Sequence, residues 1–192
     1  MVTKKSKELV FDGGLKPNSN CYLGIDQSLT GFAVTLLHES SDAYMTYVYT
    51  AEGTGIVRLF NITSWLHDIL YSYVIVDSAI EAPVKMSHSA IISGELFGVA
   101  RMALYEHLNE PACFPLQVPP TLLKKYVAGK GQRVQKSQML LQTHLKWGVI
   151  FSDDNAADSY GLAHMVKGDY KHKYEETILN QLKDPKFRDT DN

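Results

Sequence analysis

Apolar and polar positions change period several times along the chain, and each change marks an element. Cys21 to Asp26 is apolar and β-prone, and Gln27-Ser28-Leu29-Thr30-Gly31 breaks it. A second apolar run spans Phe32 to Leu37, a turn follows at Ser40 to Asp42, and Tyr44 to Tyr49 has the aromatic and β-branched content of a third strand. Tight turns between them imply an antiparallel meander. After Gly53 and Gly55 the apolar residues Ile56, Leu59, Phe60, Ile62, Leu66, Ile69 and Leu70 recur at helical spacing. Tyr73 to Ile80 is a largely apolar run with Val74-Ile75-Val76 at its heart, as expected of a strand buried on both faces, and it ends at Glu81-Ala82-Pro83. The pattern then predicts a long helix from Ser89 to Leu108, a strand from Ala112 to Val118 and a helix opening at Pro119-Pro120-Thr121. A further helix is expected over Gln135 to Leu145, a short extended piece over Trp147 to Phe151, and a closing helix over Ala156 to Val166. This order predicts an α/β fold with a mixed sheet, three antiparallel strands followed by parallel ones, flanked by helices. The first and fourth strands are placed side by side.

Residues 1–20, with Gly13, Gly14, Pro17 and Asn18, read as a flexible leader, and structure is expected to begin at Cys21. Residues 21–167 form the predicted domain, and 168–192 a polar tail containing at most one helix. With 192 residues there is room for one domain with a substantial core and not for two ordinary ones. No apolar run approaches a membrane span, and the lysine-rich N-terminus lacks the apolar segment of a signal peptide, so a cytoplasmic location is expected, in the host cell if the chain is phage-encoded. Cys21 and Cys113 fit no disulfide or metal framework and are expected as buried thiols. The net charge of −2 carries no general basic excess for nucleic acid, so charge has to be read locally.

Read locally, the acids stand out. Asp26 closes the apolar strand Leu23-Gly24-Ile25, and Glu81 closes Ile75 to Ile80. If those strands are neighbours about 4.8 Å apart, their end carboxylates converge at one sheet edge. A third acidic element is Ser152-Asp153-Asp154-Asn155-Ala156-Ala157-Asp158-Ser159, where Asp154 and Asp158 share a helix face and the alanines allow close approach to the sheet. Half-buried acids aimed together are costly without a cation, and oxygen-only ligands suit Mg²⁺ or Mn²⁺. Each acid also has an ordinary reading: Asp26 as a turn cap, Glu81 as a strand-end charge, Asp153 or Asp154 as a helix N-cap. Asp77 is expected to face a helix end or solvent.

Between Pro111 and Ser152 there is no Asp or Glu, while Lys124, Lys125, Lys130, Arg133, Lys136 and Lys146 all lie there. Such segregation predicts a positive strip beside the acids, suited to a phosphate backbone; a solvated basic helix face is the ordinary alternative.

These residues resemble a known family. Leu23-Gly24-Ile25-Asp26-Gln27-Ser28-Leu29-Thr30-Gly31-Phe32-Ala33-Val34 is similar to the first motif of RuvC-type Holliday-junction resolvases, which are RNase H-like nucleases, and Ala79-Ile80-Glu81 to the second. Ser93 to Ala100 resembles the helix that follows, Leu123 to Gly131 with Gln135-Lys136-Ser137-Gln138 the lysine-bearing segment, and Asp154 to Ser159 the closing acidic motif in the form phage-encoded members carry. The resemblance covers Tyr22 to Val166. It implies a homodimeric crossover junction endodeoxyribonuclease of DNA recombination and repair. Such an enzyme cuts four-way junctions by two-metal-ion phosphodiester hydrolysis with Mg²⁺ or Mn²⁺. It implies Asp26, Glu81 and Asp158 as metal ligands and Lys124 and Lys136 as phosphate-contacting or catalytic lysines. The bacterial pattern has its fourth acid where this chain has Asn155, which leaves Asp154, or else Asp153, to complete the set. It also has a junction-wedging aromatic where this chain has Val84, so other branched DNA such as flaps or forks joins the expected substrates.

Two competing readings differ in class. One is a non-cleaving binder of branched nucleic acid, suggested by Asn155. The other is a fragment of an actin-like ATPase, suggested by the Gly-x-Asp strand and Thr-Gly turn, although the chain lacks the second phosphate loop. No small-molecule cofactor and no membrane partner are expected.

Overall fold

The structure, a computed structural model, describes residues 6–83 and 90–188. Among them, six strands form one sheet in the order β1-β4-β3-β2-β5-β6: β1 is Lys7–Asp12, β2 Asn20–Asp26, β3 Phe32–His38, β4 Tyr44–Thr50, β5 Val74–Glu81 and β6 Leu116–Val118. The pairs β1–β4, β4–β3 and β3–β2 are antiparallel, and β2–β5 and β5–β6 are parallel. The helices are α1 (Gly55–Ser72), α2 (Ala90–His107), α3 (Pro120–Ala128), α4 (Lys136–Trp147), α5 (Asp154–Lys167) and α6 (Lys173–Gln181). The mixed α/β sheet expected from the sequence is present, with the two acid-ended strands as neighbours.

Strand alternation decides what each face of the sheet carries. Leu23 and Ile25 of β2 and Ile80 of β5 join Leu59, Ile62 and Leu66 of α1 and Leu96 and Leu104 of α2 in one core layer. Gly24 points the other way, toward α5. A Cβ there would lie 2.1 Å from the Ser159 carbonyl oxygen and 2.4 Å from the Ala163 nitrogen, so α5 lies directly on β2 and only glycine fits between them. Buried Ala156, Ala157 and Ala163 give α5 the smooth surface that this approach needs. Three buried hydroxyls fasten the contact: Thr35 Oγ1 lies 2.8 Å from Ser159 Oγ and 2.8 Å from Thr46 Oγ1. A buried hydroxyl without such partners would cost free energy, so this chain favours one seating of the helix.

Several expectations are corrected. Residues 7–12, read as part of a loose leader, form the edge strand β1 in register with β4, Lys7 opposite Thr50 and Asp12 opposite Met45. The strand expected over Ala112 to Val118 is confined to Leu116–Val118, because residues 110–113 form a turn. Trp147 belongs to α4, which ends at Gly148 in the left-handed region (φ 76°), and residues 149–151 form no strand. In the polar tail, α6 packs against α3, with Glu175 and Ile178 buried. Asp77 is half-buried, and the guanidinium of Arg188, the residue that caps the C-terminal end of the short 3-10 helix Pro185–Phe187, holds it bidentately at 3.0 and 2.8 Å. Cys21 and Cys113 are buried and free, as expected. Val84 and Ser89 lie outside the described residues. No described helix is long and apolar enough to cross a membrane.

Candidate active site

The register that pairs Ile25 with Ile80 brings the ends of β2 and β5 together, Asp26 beside Glu81. By alternation both project on the Gly24 and Ala79 face, where α5 lies. Helix α5 presents Asp154 in its first turn and Asp158 one turn later. Asp26, Glu81, Asp154 and Asp158 therefore line one pocket of about 480 Å³, with Lys124 of α3 and Lys136 of α4 as its cations.

The acids shift one another. Asp26 is buried, and burial first, then the charges of Glu81 and Asp158, hold its carboxyl well above the usual range. Burial also raises Glu81, with its hydrogen bond to Asp26 and the Lys124 charge pulling back. Asp158 is pushed up to about 8 by burial, then by Glu81 and Asp154, against Lys124 and Lys136. Its Oδ1 is buried without a hydrogen-bond partner. Four carboxylates to two ammonium groups leave the pocket with excess negative charge. A hard divalent cation fits this donor set: the ligands are all oxygen, they repel one another, and one buried oxygen is unsatisfied.

The two adjacent acids at the start of α5 take different positions. Asp153 is the N-cap, its Oδ1 accepting from the backbone N–H of Asn155 (2.9 Å) and of Ala156 (3.4 Å), and it does not line the pocket. Asp154 does, and Lys136 Nζ sits 2.7 Å from its Oδ2. Asn155 also lines the pocket, with its amide against Gly31.

The basic strip divides. Lys124 and Lys136 reach the pocket, whereas Lys125, Lys130 and Arg133 are exposed on the α3–α4 connection and its approach without lining it. Lys146 is no part of the strip. It lies about 15 Å along α4 from Lys136 at 1.5 Å per residue, nearly buried, 2.9 Å from Glu175 and over the rings of Tyr126 and Trp147.

Sequence reasoning missed Gln27 and Ser93 as pocket residues. Gln27 Nε2 donates to the Glu81 carbonyl at 3.2 Å, and its Oε1 is buried without a partner. Its place directly after Asp26 was the available signal, but a loop glutamine has no period that reveals its direction.

No protein-family model matches the chain, and no curated protein is significantly similar to it in sequence. Solved structures are similar to it. Thermus thermophilus RuvC superposes with a TM-score of 0.56 at 18% identity, over 74% of this chain and 89% of that one. T. thermophilus RuvC in complex with a Holliday junction substrate gives 0.58 at 17% identity over the same shares. The yeast mitochondrial Holliday junction resolvase Ydc2 gives 0.49 at 15% identity, over 88% of this chain and 83% of that one. The two T. thermophilus superpositions show that the chain, a mixed sheet flanked by helices, has the fold of RuvC.

Proposed function

We propose that the protein is a metal-dependent structure-selective endonuclease that cleaves four-way DNA junctions, a crossover junction endodeoxyribonuclease acting in recombination and repair. The observation that carries this reading is the convergence of four carboxylates, Asp26 and Glu81 from the ends of β2 and β5 and Asp154 and Asp158 from the start of α5, on one pocket. Two lysines border them, on a fold that in T. thermophilus RuvC has been solved with a Holliday junction substrate.

Asp26, Glu81, Asp154 and Asp158 would hold Mg²⁺ or Mn²⁺, two ions in the full reading. Such ions supply an activated water and neutralise the charge of the leaving oxygen. Lys136 and Lys124 attract the phosphate into the pocket, while Lys125, Lys130 and Arg133, exposed beyond it, follow the strand on either side. Lys136 is mostly exposed, so it is free to exchange Asp154 for a phosphate oxygen. Gln27 orients the Glu81 backbone and so the strand end. The expected products carry 5′-phosphate ends. Flaps and forks are further candidate substrates. A homodimer is part of the proposal, supported by the exposed Ile91, Ile92, Met102 and Tyr105 of α2, more apolar surface than one buried face needs.

The test is a labelled four-way junction titrated with Mg²⁺ or Mn²⁺. The wild type cuts it symmetrically; Asp26→Asn binds it with similar affinity and cuts at least about a thousandfold more slowly, roughly 4 kcal/mol of barrier. Binding without cleavage by the wild type at saturating Mn²⁺ would leave a junction-binding protein instead.

A further inference from the structure

A second group of metal-ligating side chains lies on the other side of the sheet. Among the described residues, His67 of α1 with Glu106 and His107 of α2 is the group whose potential ligand atoms all lie within 4.8 Å of one another; the strand-end acids do not form such a group. His67 Nε2 and Glu106 Oε2 are 4.0 Å apart, too far for a hydrogen bond. Two ligands about 2.1 Å from a shared tetrahedral Zn²⁺ are about 3.4 Å apart, so a small side-chain movement closes the gap. His67 Nε2 is buried without a hydrogen-bond partner. The two imidazole rings lie 4.1 Å apart between centroids, and Tyr71, one turn after His67, packs edge-on against His107 at 4.6 Å. Burial and His107 lower the pKa of His67, which keeps its ring neutral near pH 7, the form that ligates.

We propose that His67, Glu106 and His107 form a binding site for a borderline divalent transition ion of the Zn²⁺ class, with water in the fourth position. Two imidazoles and one carboxylate are a nitrogen-rich set that Mg²⁺ does not favour, whereas the strand-end pocket is all oxygen, so the two sites select different ions. The site joins the C-terminal end of α2 to α1. Its distance from the pocket is substantial: from Ser93, which lines the pocket, to His107 is about 21 Å along α2 at 1.5 Å per residue. A bound ion therefore cross-links the two helices that cover one sheet face and leaves the acidic pocket untouched.

The experiment is a Co²⁺ titration of the full-length, tag-free protein in excess Mg²⁺, read by visible absorption, with Zn²⁺-dependent melting alongside. The expected result is a tetrahedral d–d band saturating at one equivalent, displaced by Zn²⁺, and a rise of several degrees in Tm with Zn²⁺ but not with Mg²⁺. His67→Asn and His107→Asn abolish the band. Glu106→Gln, at an exposed position that leaves the fold intact, weakens binding about tenfold or more, as loss of even a supporting group does. Asp26→Asn retains the band. Absence of a band, a band undiminished in Glu106→Gln and His107→Asn, or its loss in Asp26→Asn would overturn the proposal.

Discussion

The molecule buries charge in two regions, and it treats them differently. Around the C-terminal end the buried and half-buried ionisable groups are partnered: Lys146 with Glu175 at 2.9 Å, Asp77 with Arg188 at 2.8 Å, and the buried imidazole of His164, whose pKa burial lowers, with the half-buried Asp169 at 2.7 Å. Glu175, fully buried, also accepts the backbone N–H groups of Lys171 and His172 and is held below the usual carboxylate range despite its burial. At the strand ends, four carboxylates face two lysines, and Asp26, Glu81 and Asp158 are all raised. The first region holds the tail on the body. The second gathers acids whose ionised forms are disfavoured by burial and, for Asp26 and Asp158, by the neighbouring carboxylates. Such a cluster persists where something binds.

The largest expected contrast is in stability. Glu175→Gln keeps the shape but leaves the Lys146 ammonium buried without its counter-charge, and a loss of about 3–5 kcal/mol is expected in denaturant unfolding. Asp158→Asn should do the reverse in metal-free protein and raise stability at pH 8. Equal losses in both variants would erase the distinction between the regions.

Gly24→Ala sharpens the same point through packing. Its methyl meets the Ser159 and Ala163 backbone, which cannot rotate away, so α5 must shift and carry Asp158 with it. A loss of about 1–3 kcal/mol, the usual cost of overpacking, is expected together with loss of cleavage.

A smaller effect is a pH dependence of metal-free stability. The Asp158 carboxyl is raised in the folded state from 3.8 to about 8, so folding favours its protonated form. Its contribution is whole below the unfolded value and is lost as pH rises from about 4 through about 8. Asp26 and Glu81 act in the same direction. Thermal melts in chelator should therefore fall by several degrees between pH 5 and 9, at about 2–4 °C per kcal/mol for a chain of this size. Mn²⁺ should remove much of the fall, and Asp158→Asn should flatten it. A flat wild-type profile would contradict the shared pocket.

The smallest effect is at the rim. Lys136→Ala should weaken junction binding only several-fold and reduce the slope of log K against log salt by about one, the signature of a single phosphate contact. An unchanged slope would remove Lys136 from the interface.

Much of this was legible in the sequence, for reasons that vary by residue. The apolar runs ending in Asp26 and Glu81 betray two central strands because β2 and the second half of β5 are buried on both faces, and their acids are conspicuous against that background. β1 escaped because an edge strand is half solvated: Lys7, Glu8, Val10 and Asp12 are exposed or partly so, and only Leu9 and Phe11 pack inward, too few to show a period. The helix in the tail was expected, but its docking on the domain escaped, because α6 is anchored by an ion pair from a residue 29 positions earlier, which no local pattern displays. Lys146 was misplaced for the same reason: a run of lysines gives the charge of a segment, not the face on which each one lies. Asp153 and Asp154 were separable only once the cap was seen, since an aspartate suits either position.

The central claim is that Asp26, Glu81, Asp154 and Asp158 hold divalent metal. A crystal grown in millimolar Mn²⁺ and measured for anomalous scattering tests it most directly. The account predicts strong anomalous density coordinated by Asp26, Glu81 and Asp158, absent from Asp26→Asn crystals grown alike. Well-ordered carboxylates in the wild type with no anomalous peak among them would contradict it.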